Sequence, residues 1–397
     1  GAVYLVSGSL TGEISLASTG LELNAPSANE HLGMTMAALG DANQDGVPDV
    51  AIGAPYNNIT GSNNGAVYIL AGPITSNTTF SNPTAIWAGE SNDVSTAGSG
   101  VFSAGDINGD GYGDVLVSAI YSSSSGRAGA GTVYLINGLF SGLNHLENAD
   151  ARFFGMAAGD YAGGGVAGGL DWNGDGTPDI AITSPQNDIG GAEAGAAFLI
   201  DGGTMGDMDV GNADVRLWGA AAGDRAGSVS FIEDLDGDGS PEWMIGASGS
   251  DLAGADAGSI YWIPAGTTGG QSLATISTRF DGEAAGDFVE IVADIGDING
   301  DGQADVGFSA IYNDNSGTDA GAVYLFYGPL QMGQIRSLSQ ADAIFRGEAA
   351  ANYAGSLVGA GDLNGDGADE FLVTSRYNST AGHLFGAVYV INGGLGF

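Results

Sequence analysis

Two residue types are missing altogether: the 397 residues include no cysteine and no lysine. Without cysteine there is no disulfide framework, so stability has to come from a core and from something bound to it. Zinc and copper sites built on thiolate are excluded, and histidine is restricted to His31, His145 and His383, too few for a repeated imidazole site. Without lysine there is no phosphate-cradling Gly-x-x-x-x-Gly-Lys loop, and no Gly-x-Ser-x-Gly nucleophile elbow occurs either. Eight arginines face 47 acidic residues, a formal net charge of −39. Such a surface repels nucleic acid and anionic lipid headgroups and attracts cations. No apolar run approaches the roughly 18–20 residues of a membrane span, so no membrane insertion is expected. A basic-then-apolar leader is also missing, and Gly1 falls on a repeat strand; this reads as a removed leader or a window of a longer chain.

What is present is periodic. A strand of the type Gly-Ala-Val-Tyr-Leu begins at Gly1, Gly65, Gly131, Gly195, Gly258, Gly321 and Gly386, at spacings of 63 to 66 residues. An acidic loop recurs six times with the same period, from Asp41, Asp106, Asp171, Asp234, Asp297 and Asp362. The order within a period is constant: a short strand A (Met34–Leu39), the acidic loop, an apolar strand B (Asp49–Gly53), a polar loop, the Gly-Ala-Val-Tyr strand C, and an outer strand D (Ala85–Trp87, Ala151–Phe154, Val215–Trp218, Ala343–Phe345). Strands B and C are apolar on both faces, as in sheets packed on both sides. Four antiparallel strands per repeat, repeated more than three times, predict an all-β β-propeller of four-stranded blades in one domain over 1–397. Repeats start near 34, 98, 163, 227, 289 and 355, after a half-blade of strands C and D at 1–33. A parallel β-helix has much shorter coils.

The loops read DANQDGVPD, DINGDGYGD, DWNGDGTPD, DLDGDGSPE, DINGDGQAD and DLNGDGADE. Position 1 is Asp41, Asp106, Asp171, Asp234, Asp297 or Asp362. Position 3 is Asn43, Asn108, Asn173, Asp236, Asn299 or Asn364, and position 5 is Asp45, Asp110, Asp175, Asp238, Asp301 or Asp366. Position 9 is Asp49, Asp114, Asp179, Glu242, Asp305 or Glu370. Position 6 is always glycine, and position 7 offers the carbonyl of Val47, Tyr112, Thr177, Ser240, Gln303 or Ala368. Alternating oxygens around a sharp glycine bend are the donor set of a hard cation, and calcium takes six to eight oxygens including a backbone carbonyl. Magnesium prefers octahedral sites that keep several waters. An EF-hand closes at position 12 between helices; here the closing acid is at position 9 between strands. Asp, Asn and Gly also make ordinary turns, but six copies in register, each keeping four oxygen positions, favour about six calcium ions. Without metal each loop crowds like charges together, so metal binding is expected to be linked to folding.

The acidic loop, an apolar strand ending in Gly53-Ala54-Pro55, and then Gly65-Ala-Val-Tyr68 resemble FG-GAP repeats, which form the propeller at the head of integrin α subunits and of bacterial surface proteins. The resemblance implies calcium in the A–B loops and a seven-bladed ring. Six loops against seven Gly-Ala-Val-Tyr strands then suggest a seven-bladed member with one blade incomplete, or alternatively a six-bladed ring. Gly-Ala-Pro is intact only once, and the cysteines common in animal integrins are missing, which points to a prokaryotic relative.

Antiparallel order puts the A–B and C–D loops of a blade at one end and the B–C and D–A loops at the other. The B–C loops often begin with an aromatic residue, Tyr56, Tyr121, Tyr312 or Tyr377, read as a repeated packing residue or as the rim of a glycan or protein site. Glu90, Glu283 and Glu348 read as turn residues or as supports behind a site, and Arg127, Arg225 and Arg376 as scattered surface charges or as contacts for an acidic partner. Asn58, Asn77 and Asn378 open glycosylation sequons, a weak pattern. The expectation is a non-enzymatic, extracellular or cell-surface adhesion or scaffold module that binds protein or glycan. The alternative is a subunit of a surface filament or layer that binds copies of itself through the half-blade. A polysaccharide-active enzyme built on a carboxylate pair is the third reading.

Overall fold

The computed structural model describes residues 1–6, 12–18, 21–75, 78–79, 83–91, 93–379 and 386–394. His383, Asn77 and Thr380 of the last sequon lie outside them. The chain divides into two compact units, residues 1–184 with 198–215 and residues 185–197 with 216–397. Acidic loops 1–3 fall in the first unit and loops 4–6 in the second.

The fold is all-β, with only single-turn 3₁₀ segments between strands. It has six blades of a β-propeller. In blade 1 the strands are A Met36–Gly40, B Asp49–Ala54, C Ala66–Leu70 and D Ala85–Ala88. Blade 2 repeats this as Gly100–Gly105, Asp114–Ala119, Thr132–Ile136 and Ala151–Phe154. In the second unit, blade 4 uses Ala226–Ile232, Glu242–Ala247, Ser259–Ile263 and Arg279–Asp281. Blade 5 uses Ile291–Gly296, Asp305–Ala310, Ala322–Phe326 and Ala343–Arg346. Blade 6 has Ala354–Gly361, Glu370–Ser375 and Ala387–Ile391.

Two expectations need correction. The blade count is six, not seven, because a blade is organised by its A–B hairpin and there are six such hairpins among the described residues. The seventh Gly-Ala-Val-Tyr copy, Ala2–Leu5, instead pairs with Leu21–Asn24, which pairs in turn with Thr78–Thr79 in a small separate sheet. Blades are also not uniformly four-stranded. Gly142–His145 adds a parallel fifth strand to D of blade 1, Gly206–Asp209 to D of blade 2, and Ile335–Ser337 to D of blade 4. Each comes from the C–D connection of the following repeat.

Strands B and C of blades 1 and 2 are buried on both faces: Ala51, Ile52, Val67, Val117 and Tyr134 are essentially inaccessible. Faces of neighbouring blades supply one core, as where Phe280, Phe308 and Phe326 meet at ring-centroid distances of 4.7 to 5.7 Å. Each such ring contributes about 1.5–3 kcal/mol by burial. The glycine opening strand C has a positional reason. Gly65, Gly131, Gly258 and Gly321 have φ of +80° to +84°, and a Cβ there would fall on the backbone of Ala97, Ala162, Val289 and Ala354. No helix among the described residues is long and apolar enough to cross a membrane.

Candidate metal centres

Each acidic loop is wound by its own side chains. In loop 1 Asp41 accepts the backbone N–H of Asp45 at 2.9 Å and of Gly46 at 2.8 Å. Asn43 accepts from Asp45, and Asp45 from Val47, both at 2.9 Å. The same bonds recur from Asp106, Asp171, Asp297 and Asp362 to positions 5 and 6. Position 6 needs glycine: its φ lies between +87° and +98° in all six loops. This winding holds the short loop closed around its glycine bend.

Position 9 does more than close the loop. Asp114 is fully buried and accepts Ile107 N–H at 3.0 Å and Gly138 N–H, from the C–D turn, at 2.8 Å. Asp179 and Asp305 make the same double connection, to Trp172 and Gly202 and to Ile298 and Gly328. Burial pushes these carboxyls up to about 6 in Asp114 and Asp179 and about 7 in Asp305. The recurring glycine of the C–D turn was the sequence signal for this partner.

Loop 4 is built differently. In blades 1, 2, 5 and 6 strand A ends in a β-bulge at Gly40, Gly105, Gly296 or Gly361, each with positive φ, paired to the closing acid. Blade 4 has Glu233 at that place, and Ile232 pairs with Glu242 without a bulge there. A side chain disfavours positive φ. Asp234 then makes none of the backbone bonds seen from Asp41 or Asp297, and its Oδ1 is buried without a hydrogen-bond partner. Oxygens of Asp234, Asp236, Asp238 and Glu242 lie within 4.8 Å of one another. Glu242, buried and beside three other carboxylates, is pushed up to about 8, first by burial and then by their charge. Four convergent carboxylates with one orphaned oxygen and no nearby cation are the donor set of a hard divalent ion. This is the one such cluster among the described residues.

The other candidate residues are structural or exposed. Glu90 accepts from the Tyr134 hydroxyl at 3.1 Å and Glu283 from Tyr324 at 2.8 Å; Glu30 does the same for Tyr68 and Asn57 supports it. These buttresses explain the tyrosine of strand C, which sequence reasoning left unexplained. Arg127 pairs with Asp209 at 2.6 Å and Arg225 with Glu193 at 3.4 Å. His31 packs edge-on to Tyr56, and His145 lies on the outer parallel strand. Tyr121, Tyr312 and Tyr377 pack ring to ring on Tyr161 or Tyr353 and are also 49%, 37% and 41% exposed, so the packing reading and the rim reading both fit them.

The FG-GAP repeat family matches residues 33–70, 100–136 and 162–200, which cover the A–B–C parts of the first three repeats. Mouse integrin alpha-E is 34% identical over 153 residues, 38% of this chain and 13% of that protein. Chicken integrin alpha-6 is 32% identical over 159 residues, 38% of this chain and 13% of that protein. Bovine phosphatidylinositol-glycan-specific phospholipase D is 31% identical over 149 residues, 36% and 17% of the two chains. The chain thus spans less than a fifth of the length of these relatives. Together the blades, their acidic loops and these matches support an integrin alpha N-terminal-like FG-GAP β-propeller.

Proposed function

We propose that this chain is an extracellular, calcium-stabilised adhesion or scaffold module that binds protein or glycan through its B–C and D–A loops. About six calcium ions would sit in the A–B loops, held by positions 1, 3, 5 and 9 and the position 7 carbonyl. The observation that carries this is loop 4, where four carboxylates converge around a buried oxygen without a partner. Weak sites of this oxygen-rich kind fill at the millimolar calcium found outside cells, and the integrin relatives support a ligand-binding module. The reading is non-enzymatic: Asp41, Asp106, Asp171, Asp297 and Asp362 wind loops, Glu30, Glu90 and Glu283 buttress tyrosines, and Asp207, Asp209 and Asp281 pair with arginines. The missing cysteines favour a prokaryotic source. Thermal unfolding in calcium, magnesium and chelator tests the metal. Screening immobilised glycans and extracellular proteins in calcium tests the module, and the absence of any ligand in both sets would sink it.

A second reading, self-assembly into a filament or layer, draws on strand C of blade 6. No strand covers its outer edge among the described residues, and Val388 and Val390 are 58% and 56% exposed, where Val67 and Val323 of other blades are inaccessible. Exposed apolar edges of this kind pair with other chains. A strict monomer at millimolar concentration would rule it out.

A further inference from the structure

The structure assigns a binding site for a carboxylated sugar to the B–C and D–A loops of blades 5 and 6, centred on Arg376; the assignment rests on the reading of these loops as the recognition surface.

Four rings run in contact there. Phe288 meets Tyr312 at 5.4 Å, Tyr312 meets Tyr353 at 5.7 Å, and Tyr353 meets Tyr377 at 5.4 Å, all edge to face. Arg376 is exposed, and its guanidinium carbon lies 5.5 Å from the Tyr353 ring and 5.2 Å from the Tyr377 ring. Five of the eight arginines, Arg127, Arg152, Arg225, Arg279 and Arg346, are ion-paired. Arg376 has no ion pair among the described residues, in a chain where acids outnumber arginines 47 to 8. Contact with two rings restrains it, which lowers the entropy lost when it pairs, and its guanidinium has no hydrogen-bond partner among the described residues, leaving it for a planar, bidentate acceptor. A carboxylate has that geometry.

The surroundings narrow the ligand. The Tyr353 hydroxyl donates to Asp319, and Asp314 and Asn315 are exposed beside the row. These groups accept and donate to hydroxyls, and the exposed part of Tyr312 offers a surface for sugar C–H groups. A net charge of −39 disfavours a polyanion but tolerates one carboxylate matched to one guanidinium. The fitting ligand is therefore an otherwise neutral glycan that ends in an acidic sugar.

The test is calorimetric titration of the whole chain in calcium with an oligosaccharide ending in glucuronate, its methyl ester, and the glucose-terminated counterpart. The acid is expected to bind at least roughly tenfold more tightly than either neutral form. Arg376→Ala should remove that preference without moving the thermal midpoint, Tyr377→Ala should weaken it, and Tyr377→Phe should keep it. Equal binding of acid and ester, or an unchanged preference in Arg376→Ala, overturns the site. If neutral glycans or a protein bind and Arg376→Ala is indifferent, the recognition surface stands and this site falls. If neither glycans nor proteins bind, both fall.

Discussion

Loops 4 and 5 belong to adjacent blades and share Asp at positions 1 and 5 and Gly at positions 4 and 6, yet they meet their internal demands in opposite ways. In loop 5 Asp297 accepts three backbone N–H groups, from Gly300, Asp301 and Gly302, and Asp305 bridges Ile298 to Gly328. Its carboxylates are largely satisfied by the protein. Loop 4 has no glycine bulge, an aspartate in place of asparagine at position 3, and a longer closing acid. Its four carboxylates face one another, and one oxygen has no partner. One motif thus gives a loop whose first aspartate is held by backbone N–H groups and a loop whose four carboxylates face one another. Loop 4 also differs at Glu233, one residue before the motif begins, where blades 1, 2, 5 and 6 carry glycine.

The largest expected effect erases the comparison. Chelation should lower the thermal midpoint by ten degrees or more, selectively restored by calcium over magnesium, as expected when several sites bind only the native state. A midpoint indifferent to calcium would reduce all six loops to turns.

Proton linkage gives the next effect. The closing carboxyls of loops 2, 3, 4 and 5 are raised by burial to about 6, 6, 8 and 7, above the ordinary carboxylate range near 4. Without metal the native state keeps protons that the unfolded chain releases. Stability in chelator should therefore fall as pH rises from about 4 to about 8. Calcium replaces those protons, so the gain in midpoint from calcium should grow over the same range. Melting curves at pH 5 and pH 8, each with calcium and with chelator, check the sign, and a calcium gain that shrinks toward pH 8 would contradict it.

Exchanging position 3 sharpens the contrast. Asp236→Asn should raise stability in chelator by relieving like charge and weaken calcium at one site about tenfold, since charge count tunes these affinities. Asn299→Asp should do the reverse in loop 5. Calcium titrations in which the two variants move in the same direction would refute the distinction. The smallest effect is expected from Glu233→Gly, which restores the glycine that allows the bulge: about 1 kcal/mol or less in chelator, with Glu233→Gln as the control for lost charge. Equal denaturation midpoints for the two would show that the bulge does not govern the loop.

The loop pattern, the strand order and the apolar B and C strands could be read from the sequence because each is local and recurs six times. Position 6 glycine follows from backbone geometry that a single chain segment specifies, and the Gly65 class is visible because it recurs with the period although its cause lies in another segment. Partners drawn from other segments were hidden. Nothing near Asp114 announces Gly138, and nothing near Tyr134 announces Glu90; only the shared period relates them. Strand count was misread because Gly142–His145 and Gly206–Asp209 are short, polar and paired on one side only. Blade count was misread because a Gly-Ala-Val-Tyr strand was taken to imply a blade, whereas the A–B hairpin defines one.

The parallel fifth strands separate the unit of duplication from the unit of structure. Residues 142–145 belong by sequence to the second repeat and by pairing to the first blade, and residues 206–209 tie the third repeat to the second blade in the same way. Neighbouring copies overlap like roof shingles. Excising one copy at its sequence boundaries would strip a strand from the blade before it, so gain or loss of copies has to proceed through whole overlapping segments, and a break in one blade loosens the edge of its predecessor.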